Sequence, residues 1–109
     1  MYYIKKTFEI SASHRLNLDY ESKCKNIHGH NWIITVYCKS EHLNNNGMVI
    51  DFTEIKKIIK DELDHKNLNS TLNFNPTAEN IAKWIVEQIQ FAYKCDVIES
   101  ENNMASYEI

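Results

Sequence analysis

The sequence predicts an α+β domain, an open antiparallel β-sheet with two helices packed on one of its faces. Three observations carry this. Two segments near the N-terminus alternate apolar and polar residues, two central segments repeat apolar residues at helical spacing, and residues 95 to 109 hold two further short strand candidates. The order is β-β-α-α-β-β. Runs of strands flanking adjacent helices fit a four-stranded antiparallel sheet rather than the strict strand–helix alternation of a parallel one.

In residues 2 to 14, Tyr2, Ile4, Phe8, Ile10 and Ala12 share one parity, while Lys5, Thr7, Glu9 and Ser11 share the other. That is the pattern of a half-buried strand, with Lys6 as its one violation. Residues 15 to 27 have no period and read as a connecting loop. Alternation returns from 28 to 40, with Trp32, Ile34, Val36 and Cys38 on the even face. Asn44-Asn45-Asn46-Gly47 is a turn, because Asn and Gly tolerate left-handed backbone angles. A first helix follows over 53 to 63, with Ile55, Ile58, Ile59 and Leu63 on one side. Asp51 followed three residues later by Glu54 has the form of a capping box. A second helix opens after Pro76, the only proline, with Thr77 as N-cap and Glu79 in the first turn. Ile81, Trp84, Ile85, Gln88, Ile89 and Ala92 form its expected inner stripe. The last strands are expected around Val97–Glu99 and Ala105–Ile109. Such a sheet leaves two edges to be covered, blunted or paired with another chain.

The chain of 109 residues suffices for one domain, residues 1–109, and is too short for two. So small a domain leaves much surface unburied and gains from oligomerisation. A net charge of −3 without a basic cluster argues against a nucleic-acid surface, so an anionic ligand needs a local positive site such as a metal. No stretch is apolar and long enough to span a bilayer, so no membrane partner is expected. The opening Met-Tyr-Tyr-Ile-Lys-Lys has its charges after the apolar residues, unlike a signal peptide. Cys24, Cys38 and Cys95 form no CxxC pair, and an odd count suits a reducing compartment. A cytoplasmic location is expected.

His28-Gly29-His30 and His14 carry the strongest chemical signal. Residues i and i+2 of a strand project to one face, so His28 and His30 point together, with the parity of Trp32. His14 has the parity of Phe8 and Ile10 and ends the first strand, beside the start of the second if the two are antiparallel neighbours. All three imidazoles then meet at one end of the apolar face. Three histidines with an open fourth position are the arrangement of catalytic zinc. A His-x-His pair alone fits an ordinary turn better than a metal site, and it is the parity of His14 that makes the metal site an equal candidate. His42 lies in a polar turn and has no assigned role.

Cys24 stands between Lys23 and Lys25, four residues before His28. The lysines and a nearby metal favour its thiolate, the form that serves as base or nucleophile. Buried and inert cysteine fits Cys38 in mid-strand, and Cys95, near a strand start, is read as structural. Asp64-His65 closes the first helix; it is either a proton-handling pair or a histidine favoured by the helix dipole. Glu99, in a partly buried strand, would need donors such as the edge of a guanidine-like heterocycle, unless its surroundings are a solvated loop.

Together these motifs are in register. Phe8-x₅-His14, Cys24-x₃-His28-Gly29-His30, Asp51-Phe52, Asp64-His65-x₂-Leu68-Asn69, Pro76-Thr77-x-Glu79-Asn80 and Glu99-x₅-Ala105-x-Tyr107 run in order across nearly the whole chain. The chain resembles the 6-pyruvoyl-tetrahydropterin synthase family, including its 6-carboxy-tetrahydropterin synthase branch. The resemblance implies the tunnelling fold (T-fold), in which the sheets of three subunits close into a barrel and two trimers stack into a homohexamer. It implies Zn2+ on His14, His28 and His30, and proton transfer by Cys24, Asp64 and His65, with sites shared between subunits. Glu99 would hold the ring of a small-molecule pterin, 7,8-dihydroneopterin triphosphate. The product would be 6-carboxy-5,6,7,8-tetrahydropterin for queuosine or deazapurine synthesis, with acetaldehyde and triphosphate released. The pyruvoyl product, or a non-catalytic zinc- or pterin-binding role, are the alternatives. Two departures stand out. The segment after the terminal glutamate reads Ser100-Glu101-Asn102-Asn103-Met104 where the family has a Thr-Pro-Thr-Ser-Trp-like run, which makes Glu101 a rival to Glu99. The loop from Arg15 to Cys24 is also short.

Overall fold

Alternation of apolar and polar residues produces two long strands, and the helices pack on the face they bury. In a computed structural model covering residues 1–109, the chain forms β1 (Tyr2–His14), β2 (His28–Ser40), α1 (Phe52–Leu63), β3 (Lys66–Asn67), α2 (Leu68–Thr71), α3 (Ala78–Gln88), β4 (Ala92–Ser100) and β5 (Asn103–Glu108). One sheet results, in the order β3-β1-β2-β4-β5. Every pairing is antiparallel except β3 on β1.

Phe8, Ile10, Ala12, Trp32, Ile34, Val36, Cys38, Cys95 and Val97 supply the sheet side of a single core. Ile55, Ile59 and Leu63 of α1 and Ile81, Ala82, Ile85 and Val86 of α3 cover them. Burying one such aliphatic side chain is worth about 1.5–3 kcal/mol, so the shared apolar face fixes the register as well as the layers. Lys6, the violation of parity, is half-buried.

The sheet has five strands rather than four, and three helices rather than two are present. The additions are too short for periodicity to reveal. At His65 the backbone turns left-handed, with φ 57, and the next two residues run parallel to β1, Lys66 facing Ala12 and Asn67 facing Ser13. The Asn67 side chain then accepts from the Asn69 amide and starts the single turn of α2.

Other differences are local. Asp51 caps α1 by accepting from the Thr53 amide at 2.8 Å and the Thr53 hydroxyl at 2.7 Å, and Glu54 makes no reciprocal bond. Helix α3 ends at Gln88, and left-handed Phe91 (φ 71) turns the chain so that Ala92 opens β4 opposite Cys38. Ala82 and Val86 join Ile81, Ile85 and Ile89 on the inner face, half-buried Trp84 packs at its margin, Gln88 is exposed and Ala92 passes to β4. Strands β4 and β5 run longer than expected, since their outer face is polar. Asp96 there accepts from the Tyr37 and Ser106 hydroxyls, both at 2.6 Å.

Candidate metal centre and its surroundings

The register of β1 on β2 places His14 opposite His28 and Ala12 opposite His30. With their shared parity, this brings the three rings to one end of the core face. The potential ligand atoms of His14, His28 and His30 all lie within 4.8 Å of one another. Trp32 closes the inner side, with ring centroids 4.8 Å from His14 and 5.2 Å from His30, and its indole N–H donates to the Ala12 carbonyl at 3.1 Å.

Two main-chain carbonyls orient the cluster. His14 Nδ1 lies 2.8 Å from the Pro76 carbonyl and His28 Nδ1 lies 2.7 Å from that of Asn26. A ring nitrogen facing a carbonyl must carry the proton, so both residues present Nε2 as a bare lone pair. The Nε2 atoms of His14 and His30 are buried without any hydrogen-bond partner. An unsatisfied buried polar atom costs about 1–3 kcal/mol, so paired orphans at one point indicate a site built for something else to satisfy. Burial holds both rings below the ordinary imidazole range; the Pro76 carbonyl and Glu99 oppose this at His14, and Glu99 opposes it at His30. The neutral form is the one that binds a metal ion. Three imidazoles gathered at one point, two of them with Nδ1 held by a carbonyl, thus fit a divalent ion of zinc type.

Glu99 faces this cluster. Its Oε1 is 3.5 Å from His30 Nε2 and its Oε2 is 3.9 Å from His14 Nε2, and its side chain is 22% exposed. The residue has the parity of buried Cys95 and Val97, and a register shift between Ile98 and Ser100 leaves it unpaired in the β4–β5 ladder. Such irregularities re-aim side chains. Glu101 lies in the hairpin turn, exposed to solvent.

Cys24 sits in a 3-10 turn, Lys23–Lys25, whose Ser22 cap accepts from the Cys24 amide at 3.2 Å. It is half-buried, whereas Cys38 and Cys95 are fully buried within β2 and β4. Burial pushes the Cys38 thiol up to about 11 and the Cys95 thiol higher still.

Asp64 and His65 stand elsewhere, at the edge of β1 where β3 begins. Asp64 Oδ1 accepts from the Ser11 amide at 2.9 Å, and Oδ2 lies 3.6 Å from Lys60 Nζ and 3.7 Å from His65 Nε2. Burial pushes the Asp64 carboxyl up, but the Ser11 N–H, His65 and Lys60 outweigh it and hold it below the usual carboxylate range. His65 is exposed and pinned by its own amide, which donates to the Ser11 carbonyl at 2.7 Å. A non-glycine residue held left-handed is strained, and such strain clusters at functional sites. The pair lines a cleft with Thr7, Glu9, Ser11, Asn31 and the lysines Lys56 and Lys60.

Within one chain, then, the three histidines and Glu99 converge. No hydrogen bond or ion pair links Cys24 or the Asp64–His65 pair to that cluster or to each other. The carbonyls of Pro76 and Asn26 are partners that side-chain motifs do not announce. For Glu99, its parity with Cys95 and Val97 is a signal already present in the sequence.

The profile of the 6-pyruvoyl tetrahydropterin synthase family matches residues 3–109. The 6-carboxy-5,6,7,8-tetrahydropterin synthase of Synechocystis is 35% identical, over 98% of this chain and 93% of the relative. The 6-pyruvoyl tetrahydrobiopterin synthase of Dictyostelium discoideum is also 35% identical, over 89% of this chain and 88% of the relative. Among solved structures, 6-pyruvoyl tetrahydropterin synthase of Caenorhabditis elegans superimposes with a TM-score of 0.77 at 28% identity, covering 98% of this chain and 94% of that one.

Proposed function

The chain belongs to the 6-pyruvoyl tetrahydropterin synthase family, and from that premise we propose that it is a zinc-dependent lyase acting on 7,8-dihydroneopterin triphosphate. The proposed products are 6-carboxy-5,6,7,8-tetrahydropterin, acetaldehyde and triphosphate, in a cytoplasmic route toward queuosine or related deazapurines. The observation that carries the reading is the convergence of three histidines, two of them with buried, unpartnered Nε2 atoms. The Synechocystis relative, named for the carboxy product, supports the choice of branch.

His14, His28 and His30 would hold the ion, and when bound it supplies Lewis-acid polarisation of a side-chain hydroxyl. Glu99, beside the cluster, accepts hydrogen bonds from the 2-amino group and ring N–H of the pterin, a bidentate contact that fixes the ring. Trp32 and the fully buried His14 close the inner wall against water. Cys24, the only thiol with solvent access, takes the proton from the substrate side chain as general base. Asp64 holds His65 as the complementary acid. Since that pair lies at a sheet edge, it serves the site of a neighbouring copy. The outer edge of β5 and most of the outer edge of β1 are free of strand partners, because β3 covers only Ala12 and Ser13. Pairing such edges between copies is the usual remedy for exposed strands, and it supports a trimeric ring stacked into a hexamer.

No helix of the chain is long and apolar enough to cross a membrane. The equal identity of the Dictyostelium relative favours one second reading, a pyruvoyl product made without carbon–carbon cleavage. Turnover of 7,8-dihydroneopterin triphosphate by the zinc-loaded protein, with products identified by mass spectrometry, separates the two. A carboxylated pterin with equimolar acetaldehyde is expected. A pyruvoyl pterin without acetaldehyde would move the protein to the second reading. Absence of turnover in protein with full zinc content would sink both.

A further inference from the structure

Two asparagine side chains replace a missing β-strand beside the loop that leads from His14 to Cys24. Asn69 Oδ1 accepts from the Arg15 amide at 2.7 Å, and its Nδ2 donates to the Arg15 carbonyl at 2.9 Å. Asn75 repeats this two residues along, accepting from the Asn17 amide at 2.9 Å and donating to the Asn17 carbonyl at 3.1 Å. A carboxamide carries the donor and acceptor of a peptide group in one plane, so each asparagine imitates one rung of a ladder. Alternation turns the intervening residue the other way, and the Leu16 amide donates to the Cys24 carbonyl at 2.8 Å. The strap is thereby held on both edges, one by asparagines and the other by Cys24 itself.

Both anchors are braced. The Asn69 amide is capped by the Asn67 side chain at 3.1 Å. The Asn75 carbonyl accepts from Asn80 Nδ2 at 3.0 Å, and the Asn80 amide donates to the Thr77 hydroxyl at 3.1 Å. Leu68-Asn69 and Thr77-x-x-Asn80, motif residues that the proposed chemistry leaves idle, acquire a task in this way.

We propose that Asn69 and Asn75 are positioning residues that set the location of Cys24 through the strap Arg15–Asn17 and the Leu16–Cys24 bond. The role rests on reading Cys24 as the base, while the clamp itself does not. Cys38 and Cys95 are fully buried, so Cys24 is the one thiol a reagent reaches in the folded protein. Three measurements on zinc-loaded Asn69→Ala and Asn75→Ala therefore separate the links. Amide exchange should accelerate at Arg15 in the first variant and at Asn17 in the second by roughly tenfold, the worth of one or two hydrogen bonds, with Ile34 and Val36 unchanged. Cys24 modification by a disulfide reagent should change several-fold in rate while zinc content stays constant. kcat should fall and KM stay level, with Asn69→Asp, which keeps the acceptor for the Arg15 amide, lying between wild type and alanine. That milder variant also carries the test if an alanine variant does not fold. Unchanged exchange at Arg15 and Asn17 would overturn the clamp. Faster exchange with unaltered Cys24 modification would overturn its coupling to the thiol. An inactive wild type with full zinc content would count against the reaction alone, since exchange and thiol modification still decide the clamp.

Discussion

Replacing His30 by leucine should stabilise the metal-free protein and abolish its response to zinc. His30 is the cleanest of the three histidines for this purpose, because neither ring nitrogen makes a hydrogen bond and its Nε2 is a buried orphan. The substitution thus removes an unsatisfied acceptor, worth about 1–3 kcal/mol when fully buried, and loses only the 3.5 Å approach to Glu99. The side chain is 19% exposed, so the low end, about 1 kcal/mol, is the better figure. Leucine also keeps an apolar neighbour against Trp32, whose ring lies 5.2 Å from that of His30. In a domain of this size about 1 kcal/mol moves Tm by roughly 4–8 °C. Zinc at a thousandfold excess over its Kd stabilises a protein that binds only when folded by about 4 kcal/mol, a gain the variant forgoes. The melting curves should therefore change order: the variant melts above wild type in chelator and below it in zinc. Calorimetric scans of both proteins in both conditions are the assay. A variant that melts well below wild type in chelator would refute the reasoning, since the ring would then be a packing element. Equal zinc shifts in the two proteins would place the metal elsewhere.

Four further outcomes are expected. Cys24→Ala should lower kcat by about 10²–10⁴-fold, the worth of a general base, with zinc content and Tm unchanged because Cys24 lies outside the core. Asp64→Ala strips the Ser11 amide of a charged acceptor and should cost about 1.5–3 kcal/mol in denaturant titrations, whereas Asp64→Asn keeps an acceptor and most of that stability. Glu99→Gln should raise KM for the pterin and leave zinc content intact, and Glu101→Gln, exposed in its turn, should change neither. The metal-free protein should lose stability as pH falls below 6.5, the ordinary histidine value from which His14 and His30 are lowered. Below that pH the unfolded chain protonates these rings while the folded one resists, so the unfolded state holds more protons and stability rises with pH through the window. Urea midpoints measured across that range check the sign.

The long strands are legible in the sequence residue by residue, because one face of each is buried and a slip by one position would expose the whole apolar set. The same parity makes the meeting of His14 with His28 and His30 readable from residue order alone. Legibility fails where information is not local. Two-residue β3 and one-turn α2 have no period, and their geometry depends on left-handed His65 and on the edge of β1. The α3 stripe is legible at Ile81, Ile85 and Ile89 but not at its far end, because the helix stops at Gln88 and Ala92 belongs to β4. Pro76 as partner of His14, and Asn69 and Asn75 as partners of the strap, act through main-chain atoms more than 50 residues away, which no side-chain pattern encodes.

The separation within the chain gives the proposed chemistry its most demanding requirement. The histidines and Glu99 lie on the face that packs against the helices, while Asp64 and His65 lie at the free margin of β1, against Ser11 and Asn31 of the opposite parity. A general base and its complementary acid must both come within hydrogen-bond reach of one substrate. A single copy that binds metal and pterin through residues clustered in one chain would still lack the acid at that point. In the proposed reaction, metal binding would therefore belong to the chain and turnover to an assembly. The two unpartnered sheet edges supply a physical reason for such an assembly to form, and on the proposed reading the strap held by Asn69 and Asn75 would set how one chain presents its thiol to the other's acid.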